Sequence, residues 1–359
     1  MSEPIRVVGI SFEHMHMGDN LWMAHQHPGC EVVGVCDPEL SRTDAARKKL
    51  GLADSQAFTD WEACIDACRP DLLITCPATA DHADWVERLA PSRIPILMEK
   101  PMASSLGEAD RIIAACGEHG TKLAINWPLV WVPSHRKAKQ LIDEGRIGDV
   151  LEVHYYGGNR GPLWHTAGKE EMDAETVAKQ KPDSWFYKRA SGGGSLLDYL
   201  GYGTTLGTWY LGGRTPVEVT CVCDSPEGLE VDEHSVTVAR YSFGISKFET
   251  RWGTYTDPWV HQPQPKCGFV IVGSGGTLSS YDYEGYVLLQ TAGNPGGERI
   301  VAEPLTAPEQ NPVQHFVAYL RGEIPLIGPL TPAMSRLGQQ IVDTAVESAR
   351  QKRTLPLVD

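Results

Sequence analysis

The residue types that could do chemistry gather at the ends of short apolar runs. Lys100 stands between Glu99 and Pro101, directly after Pro95-Ile96-Leu97-Met98. An ammonium there can polarise a carbonyl or help to remove a proton from a hydroxyl. Thr75 to Pro77 and Asn126 to Pro128 close two other apolar runs in the same manner. The turn Gly9-Ile10-Ser11-Phe12-Glu13-His14 sits where a dinucleotide-binding chain carries Gly-x-Gly-x-x-Gly, yet only the first glycine is present. The second glycine normally lets backbone approach a pyrophosphate and the third lets helix and strand pack closely; here they are Ser11 and His14. The turn alone does not identify a nucleotide site. Asp37 is the compensating signal, because an acidic residue ending the second strand accepts hydrogen bonds from adenosine ribose hydroxyls and repels the 2′-phosphate of NADP. Its competing reading is a turn-forming residue before Pro38, and Arg42 is close enough in sequence to serve a 2′-phosphate instead.

His14 and His16, and again His25 and His27, are two apart. The segment reads as a loop followed by a helix, where residues two apart point in different directions. No metal site is expected; His14 or His16 should line the phosphate turn and offset Glu13. The nine cysteines are an odd, scattered set, as expected of reduced thiols in the cytosol. Cys64 with Cys68, and Cys221 with Cys223, lack a second pair at zinc-ribbon spacing.

The elements that must position these groups alternate in the first half. Strands are expected at 5–10, 30–37, 71–77, 95–99 and 122–126. Between them fall a short helix ending near Pro28, one capped by Ser41 and running to about Leu50, one opened by a Thr59–Glu62 capping box, one over 80–89, and one opened by a Ser105–Glu108 capping box. Repeated β-α units of this length predict a Rossmann-type, doubly wound parallel sheet, which binds ligands beyond the carboxyl ends of its strands. The second half differs. After a helix from Pro133 to Glu144, strand-like stretches at 150–157, 216–223, 234–242, 246–253, 268–273 and 286–290 predict an α+β domain with a large, mostly antiparallel sheet. Phe243-Gly244 should turn a hairpin, and a helix from Pro332 to Arg350 should close the fold. Residues 159–190 read as a long functional connection. The expected domains are 1–128 and 129–359.

Composition narrows the function classes. The chain of 359 residues carries a formal charge of −14, so it would approach nucleic-acid phosphates against its own field. No apolar run approaches the ~18 residues needed to span a bilayer. The run Met1-Ser2-Glu3-Pro4-Ile5-Arg6 lacks the regions of a signal peptide. The expectation is a cytoplasmic protein acting on a small molecule.

Glu99-Lys100-Pro101, the later run Gly192-Gly193-Gly194-Ser195-Leu196-Leu197-Asp198, Leu141 to Gly148, Val231-Asp232-Glu233 and Val272 to Leu278 resemble, in order and spacing, the Gfo/Idh/MocA family of glucose–fructose oxidoreductase, inositol dehydrogenase and their relatives. The resemblance runs nearly end to end. It implies reversible hydride transfer between a nicotinamide and a hydroxyl-bearing carbon of a sugar or cyclitol; Asp37 favours NAD over NADP as that cofactor. It places Lys100 at the reacting hydroxyl, with Pro101 fixing its direction if the peptide is cis. The family's Asp-x-Gly-x-His becomes Asp198 with Tyr202 in the histidine position. Some relatives also carry tyrosine there. Tyr202 is then the proton-transferring group, and Asp198 binds substrate hydroxyls. The implied cofactor residues are Gly9, Ser11, Phe12, His14, Asp37, Thr75, Pro77, His82, Glu99, Lys100 and Asn126.

Two departures bear on substrate. Val130 replaces a frequent family arginine, and Gly158 to His165 is not a general family feature. Asn159, Arg160, Trp164 and His165, with Trp185, suit a polyhydroxylated ring through edge hydrogen bonds and face stacking; an oligomer-contact loop is the equal alternative. The implied assembly is a homodimer or homotetramer that buries the open face of the second sheet. Two other functions share the fold: an enzyme that retains NAD and cleaves or eliminates at a glycosidic bond through transient oxidation, and a regulatory homologue without chemistry.

Overall fold

The computed structural model describes residues 3–359; Met1 and Ser2, part of the N-terminal run assessed for a signal peptide, lie outside the described residues. The chain divides into two compact units. The first comprises the residues up to Asn126 together with His165–Ala174 and Thr306–Pro332, and the second Trp127–Trp164, Glu175–Leu305 and Ala333–Asp359.

In the first unit β1 (Ile5–Ile10), α1 (His16–Gln26), β2 (Cys30–Cys36), α2 (Asp44–Leu50), β3 (Ala57–Phe58), α3 (Trp61–Cys68), β4 (Leu72–Thr75), α4 (His82–Leu89), β5 (Ile96–Glu99), α5 (Leu106–His119) and β6 (Leu123–Asn126) follow one another. The six parallel strands are ordered β3-β2-β1-β4-β5-β6. The winding reverses at β1, so a crevice opens at the carboxyl ends beside it. The one retained turn glycine has a packing reason. A Cβ on Gly9 would lie 2.9 Å from Leu21 Cδ1 and 3.1 Å from Met17 Sδ, so only glycine lets α1 lie so close to β1.

The helix starts differ in detail from the sequence expectation. Asp60, not Thr59, caps α3 by accepting from Ala63 N at 2.8 Å. Ser41 lies inside a 3-10 turn, Leu40–Thr43, and α2 begins at Asp44. Ser105 Oγ does accept from Glu108 N, but the Glu108 carboxylate turns back to Ser104.

The second unit contains α6 (Pro133–Asp143), β7 (Val150–Gly158), α7 (Ala174–Gln180), α8 (Ser195–Tyr210), β8 (Glu218–Asp224), β9 (His234–Arg240), β10 (Ile245–Arg251), β11 (Gly268–Gly273), β12 (Gly276–Tyr281), β13 (Tyr286–Thr291) and β14 (Asn294–Val301). After α9 (Pro312–Leu320), which belongs to the first unit, come α10 (Pro332–Gln351) and β15 (Leu355–Pro356). Nine strands run β14-β13-β12-β11-β7-β10-β9-β8-β15, antiparallel except for the β7–β10 pair. The β9–β10 hairpin turns at Phe243-Gly244, with Tyr241 N donating to Gly244 O at 2.8 Å. The sequence expectation lacked β3, β12, β14, β15 and α9, and the stretch 159–190 holds a helix and several short turns rather than plain loop.

Helix α8 lies across β7, β9 and β10. A Cβ on Gly203 would meet Tyr155 at 2.5 Å, one on Gly207 would meet Phe248 at 3.0 Å, and one on Gly201 would meet Trp127 at 2.5 Å. Gly203 and Gly207 are therefore what allow the helix to sit against the sheet, and Gly201 lets it approach Trp127. Helix α6 packs on β12 and β13. There His135 is buried between Ser280 Oγ (2.6 Å) and Asp282 Oδ1 (2.7 Å). Among the described residues no helix is long and apolar enough to cross a membrane.

Candidate active site

The first βα turn is stitched to its neighbours by its own backbone. Ser11 takes a left-handed conformation, φ 66°, of the kind glycine supplies cheaply. Its N–H donates to Cys36 O at 2.9 Å, and His14 N donates to Cys76 O at 3.0 Å. Phe12 N donates to Asp37 Oδ2 at 2.7 Å, and Glu39 N donates to Asp37 Oδ1 at 2.8 Å. Asp37 thus stands at the expected strand end, but its carboxylate is wholly buried and joins two turns. A cavity of about 230 Å³ adjoins it, lined by Ser11, Glu13, Pro38, Arg42, Asp81, Asp84, Trp85 and Arg88. Arg42 lies 3.1 Å from Glu39, 3.4 Å from Glu13 and 3.7 Å from Asp37. Sequence reasoning missed the α4 contribution. Its signal was the i, i+4 spacing of Asp81 with Trp85 and of Asp84 with Arg88, which puts each pair on one helix face.

This donor set fits a dinucleotide at its adenosine end. An indole, with the Arg88 guanidinium 5.4 Å from its ring centre, and a proline ring offer surface for a purine. Carboxylates suit hydroxyls, and guanidinium groups suit phosphate.

A second cluster lies at the carboxyl end of β5. Glu99 is fully buried. Its Oε1 is 2.9 Å from His16 Nδ1, and its Oε2 accepts from Asn20 Nδ2 at 3.3 Å and Asn126 Nδ2 at 3.2 Å. Burial alone would raise its pKa. His16, then Lys100, then Asn20 outweigh that and hold the carboxyl below its ordinary range, so it is ionised. Lys100 is buried in the same place, and the Lys100–Pro101 peptide is cis. Three imidazoles nearby are kept neutral. Burial lowers the His14 pKa well below its ordinary value, reinforced by His16, Lys100, His82 and His165. Burial likewise lowers His82 to about 4, against the pull of its bonds to Met102 O and Pro77 O. Burial, with His16, Lys169 and Lys100, lowers His165 to about 4.

The histidine pair corrects the sequence reading. His14 lies in the turn and His16 is the first residue of α1, so the helical argument for their divergence does not apply. Their ring centres are 4.3 Å apart, and ligand atoms of His14, His16 and Glu99 all lie within 4.8 Å of one another. Within the cluster His14 Nδ1 accepts from the backbone N of His16 at 3.2 Å, and His16 Nδ1 lies 2.9 Å from Glu99 Oε1.

The second unit holds the other expected residues. Asn159 is buried and spends its side-chain oxygen on Gly161 N at 2.9 Å, shaping the loop. Arg160 N donates to Asp257 Oδ1 at 2.9 Å, and its guanidinium lies 3.7 Å from the centre of the Trp164 ring. Trp185 stacks on Phe186 with centres 3.9 Å apart. Asp198 and Tyr202 are both buried on α8, one turn apart, and Tyr202 meets the Trp127 ring edge-on at 5.6 Å. Asp232 anchors the start of that helix, accepting from Ser195 Oγ at 2.6 Å and Leu196 N at 2.9 Å. His165 parts company with Trp164. It falls in the first unit, where Gly168 N of the same segment donates to Asp19 Oδ1 at 2.7 Å.

Comparison with known proteins agrees with this architecture. The model described as "Oxidoreductase family, NAD-binding Rossmann fold" matches residues 5–127, and that described as "GFO/IDH/MocA C-terminal domain" matches residues 135–279. A D-xylose 1-dehydrogenase [NADP(+)] of Haloarcula marismortui is 39% identical over 84 residues, 23% of each chain. An inositol 2-dehydrogenase of Salmonella typhimurium is 26% identical over 147 residues, 40% of this chain and 44% of that one. Each match spans less than half the length of the relative. Among solved structures, an oxidoreductase from Agrobacterium radiobacter in complex with NAD+, L-tartaric acid and magnesium superposes with a TM-score of 0.77 at 16% identity, over 98% of both chains. The aldose-aldose oxidoreductase from Caulobacter crescentus complexed with glycerol gives 0.76 at 20% identity, over 99% of this chain and 100% of that one.

The neutral imidazoles make stability pH-dependent. Between the ordinary histidine pKa, about 6.5, and about 4 the unfolded chain binds protons that the folded chain refuses, so stability falls as pH falls through that window. Each such histidine contributes a slope of up to about 1.4 kcal/mol per pH unit. Melting temperatures measured from neutral pH down to about pH 5 should therefore drop, and His82→Gln, which cannot titrate there, should flatten the drop. Identical slopes in the two proteins would contradict a neutral His82.

Proposed function

The chain belongs to the Gfo/Idh/MocA oxidoreductase family, and from that premise we propose that it transfers a hydride between NAD and a hydroxyl-bearing carbon of a sugar, cyclitol or sugar derivative. The observation that carries the reading is the buried Lys100 beside an ionised, buried Glu99 at the carboxyl end of β5 in a dinucleotide-type sheet. NAD, when bound, supplies the hydride acceptor. Lys100 polarises the reacting oxygen and holds a proton at Nζ; Glu99 fixes that ammonium electrostatically and is itself fixed by Asn20, Asn126 and His16. Tyr202 transfers the proton at its Oη, and Asp198, one turn earlier, binds substrate hydroxyls. The buried surroundings of both exclude water.

The remaining assignments follow from chemistry. Arg160 stacked on Trp164, with Trp185 and Asn159 in the same unit, supports a polyhydroxylated substrate; His165 is assigned to substrate binding as well. The names of the relatives, an inositol and a xylose dehydrogenase, point to the same class. Ser11, Phe12, His14, Asp37, Thr75, Pro77 and His82 surround the cofactor. NAD is preferred to NADP because Glu13, Asp37 and Glu39 gather round Arg42 and oppose a 2′-phosphate. Nine free cysteines support a reducing, cytoplasmic setting.

A homodimer or homotetramer is the proposed assembly. Val222, Val238 and Ile245 stand exposed on the face of the second sheet away from α8, among the Glu218–Arg240 and Lys247–Glu249 ion pairs, a mixed surface suited to a second copy. Light scattering at micromolar concentration should give a multiple of 39.4 kDa; a monomer would contradict it.

The catalytic assignment is tested at Tyr202. D-Xylose, inositol and related polyols are screened with NAD for the near-ultraviolet band of reduced nicotinamide. With a substrate that is turned over, Tyr202→Phe should cut turnover by roughly a hundredfold or more and leave NAD affinity nearly unchanged. Full turnover in Tyr202→Phe would move the acid–base role to another group.

A further inference from the structure

We propose that Glu13 is a gate on the cofactor groove, an internal anion that holds the donors a dinucleotide diphosphate needs and so sets how tightly the dinucleotide binds. This rests on the NAD reading above and goes beyond it by naming a residue that weakens binding.

The position comes first. Glu13 lies in the first βα turn, between β1 and α1, where backbone amides and the helix end favour an anion. The Phe12 and His14 amides of this turn are already bonded to Asp37 Oδ2 and Cys76 O. The Glu13 carboxylate reaches across the crevice in two directions. Its Oε2 accepts from Ala78 N, in the loop after β4, at 2.9 Å. Its Oε1 is 3.4 Å from Arg42 Nη1, in the segment after β2. One side chain therefore links the loops on either side of β1, above the point where the sheet reverses its winding.

The chemistry follows from the donors. A backbone N–H and a guanidinium are what a phosphate group takes from a protein. Glu13 accepts from the first and lies 3.4 Å from one nitrogen of the second, whose other nitrogen faces Glu39, and it borders the cavity assigned to adenosine. Two anions cannot share those donors without mutual repulsion at short range. The dinucleotide must therefore displace Glu13 from Ala78 N and from Arg42. A 2′-phosphate meets a higher barrier, because Arg42 is also held by Glu39 and Asp37.

The test is a pair of titrations. Glu13→Gln keeps the shape and an oxygen acceptor for Ala78 N but removes the charge. Calorimetric titration with NAD and with NADP, on full-length protein checked for its fold by circular dichroism, should show NAD binding about tenfold tighter in Glu13→Gln than in the unchanged protein. NADP should tighten as well, by no larger a factor, because Glu39 and Asp37 still hold Arg42. Glu13→Ala should act in the same direction. Equal or weaker NAD binding in both variants would overturn the gate and leave the NAD reading intact. If no variant and no unchanged protein binds either dinucleotide, the gate and the reading beneath it both fall.

Discussion

The buried charge of Glu99 is the constraint on which the first unit depends. An ionised carboxylate out of water is costly unless its oxygens are bonded and an opposite charge is near. Here the partners come from separate elements: His16 and Asn20 from α1, Asn126 from the end of β6, and Lys100 from the next position in the chain. His16 and Asn20 are four residues apart, so α1 must present that one face to the end of β5. That fixes the rotation of the helix and its closeness to β1, which in turn requires Gly9. Apolar packing alone would tolerate a range of helix positions. The buried ion selects one of them, and that position is the one that sets Lys100.

The second unit solves a different problem. Its sheet supplies a wide surface, and α8 must carry Asp198 and Tyr202 while lying flat on large side chains. Glycines at 201, 203 and 207 remove the Cβ atoms that would strike Trp127, Tyr155 and Phe248. A glycine-rich helix is intrinsically weak. Asp232 compensates at its first turn, and the buried aromatic rings compensate along its length.

Much of this was legible in the sequence, for reasons that differ by residue. Apolar runs closed within two residues by a proline or a charge mark β2, β4, β5 and β6, and the run Val7-Val8-Gly9-Ile10 marks β1, because a strand buried on both faces has nowhere to place polar side chains. Strand β14, with Asn294-Pro295-Gly296-Gly297 and then charges, carries no such signal, since it is an edge strand paired only with β13. The position of Glu99 and Lys100 at the end of β5 could be read from the sequence; the bonding of Glu99 to His16, Asn20 and Asn126 could not. The burial of Asp37 could not, because its two amide partners come from turns whose backbone directions are set by the fold. His14 and His16 were misjudged because α1 begins only at His16. The separation of His165 from Trp164 depends on where the chain crosses between units, and no local pattern records that crossing.

The central claim is that Lys100 serves the hydride-transfer step. Lys100→Met keeps the length of the side chain and removes the ammonium. Rapid-mixing measurement of reduced-nicotinamide formation, with a polyol that the unchanged protein oxidises and with NAD binding measured in parallel, isolates that step. The account predicts NAD bound within a few-fold of normal and hydride transfer slowed by roughly 10²–10⁴. Hydride transfer at the normal rate in Lys100→Met would contradict it.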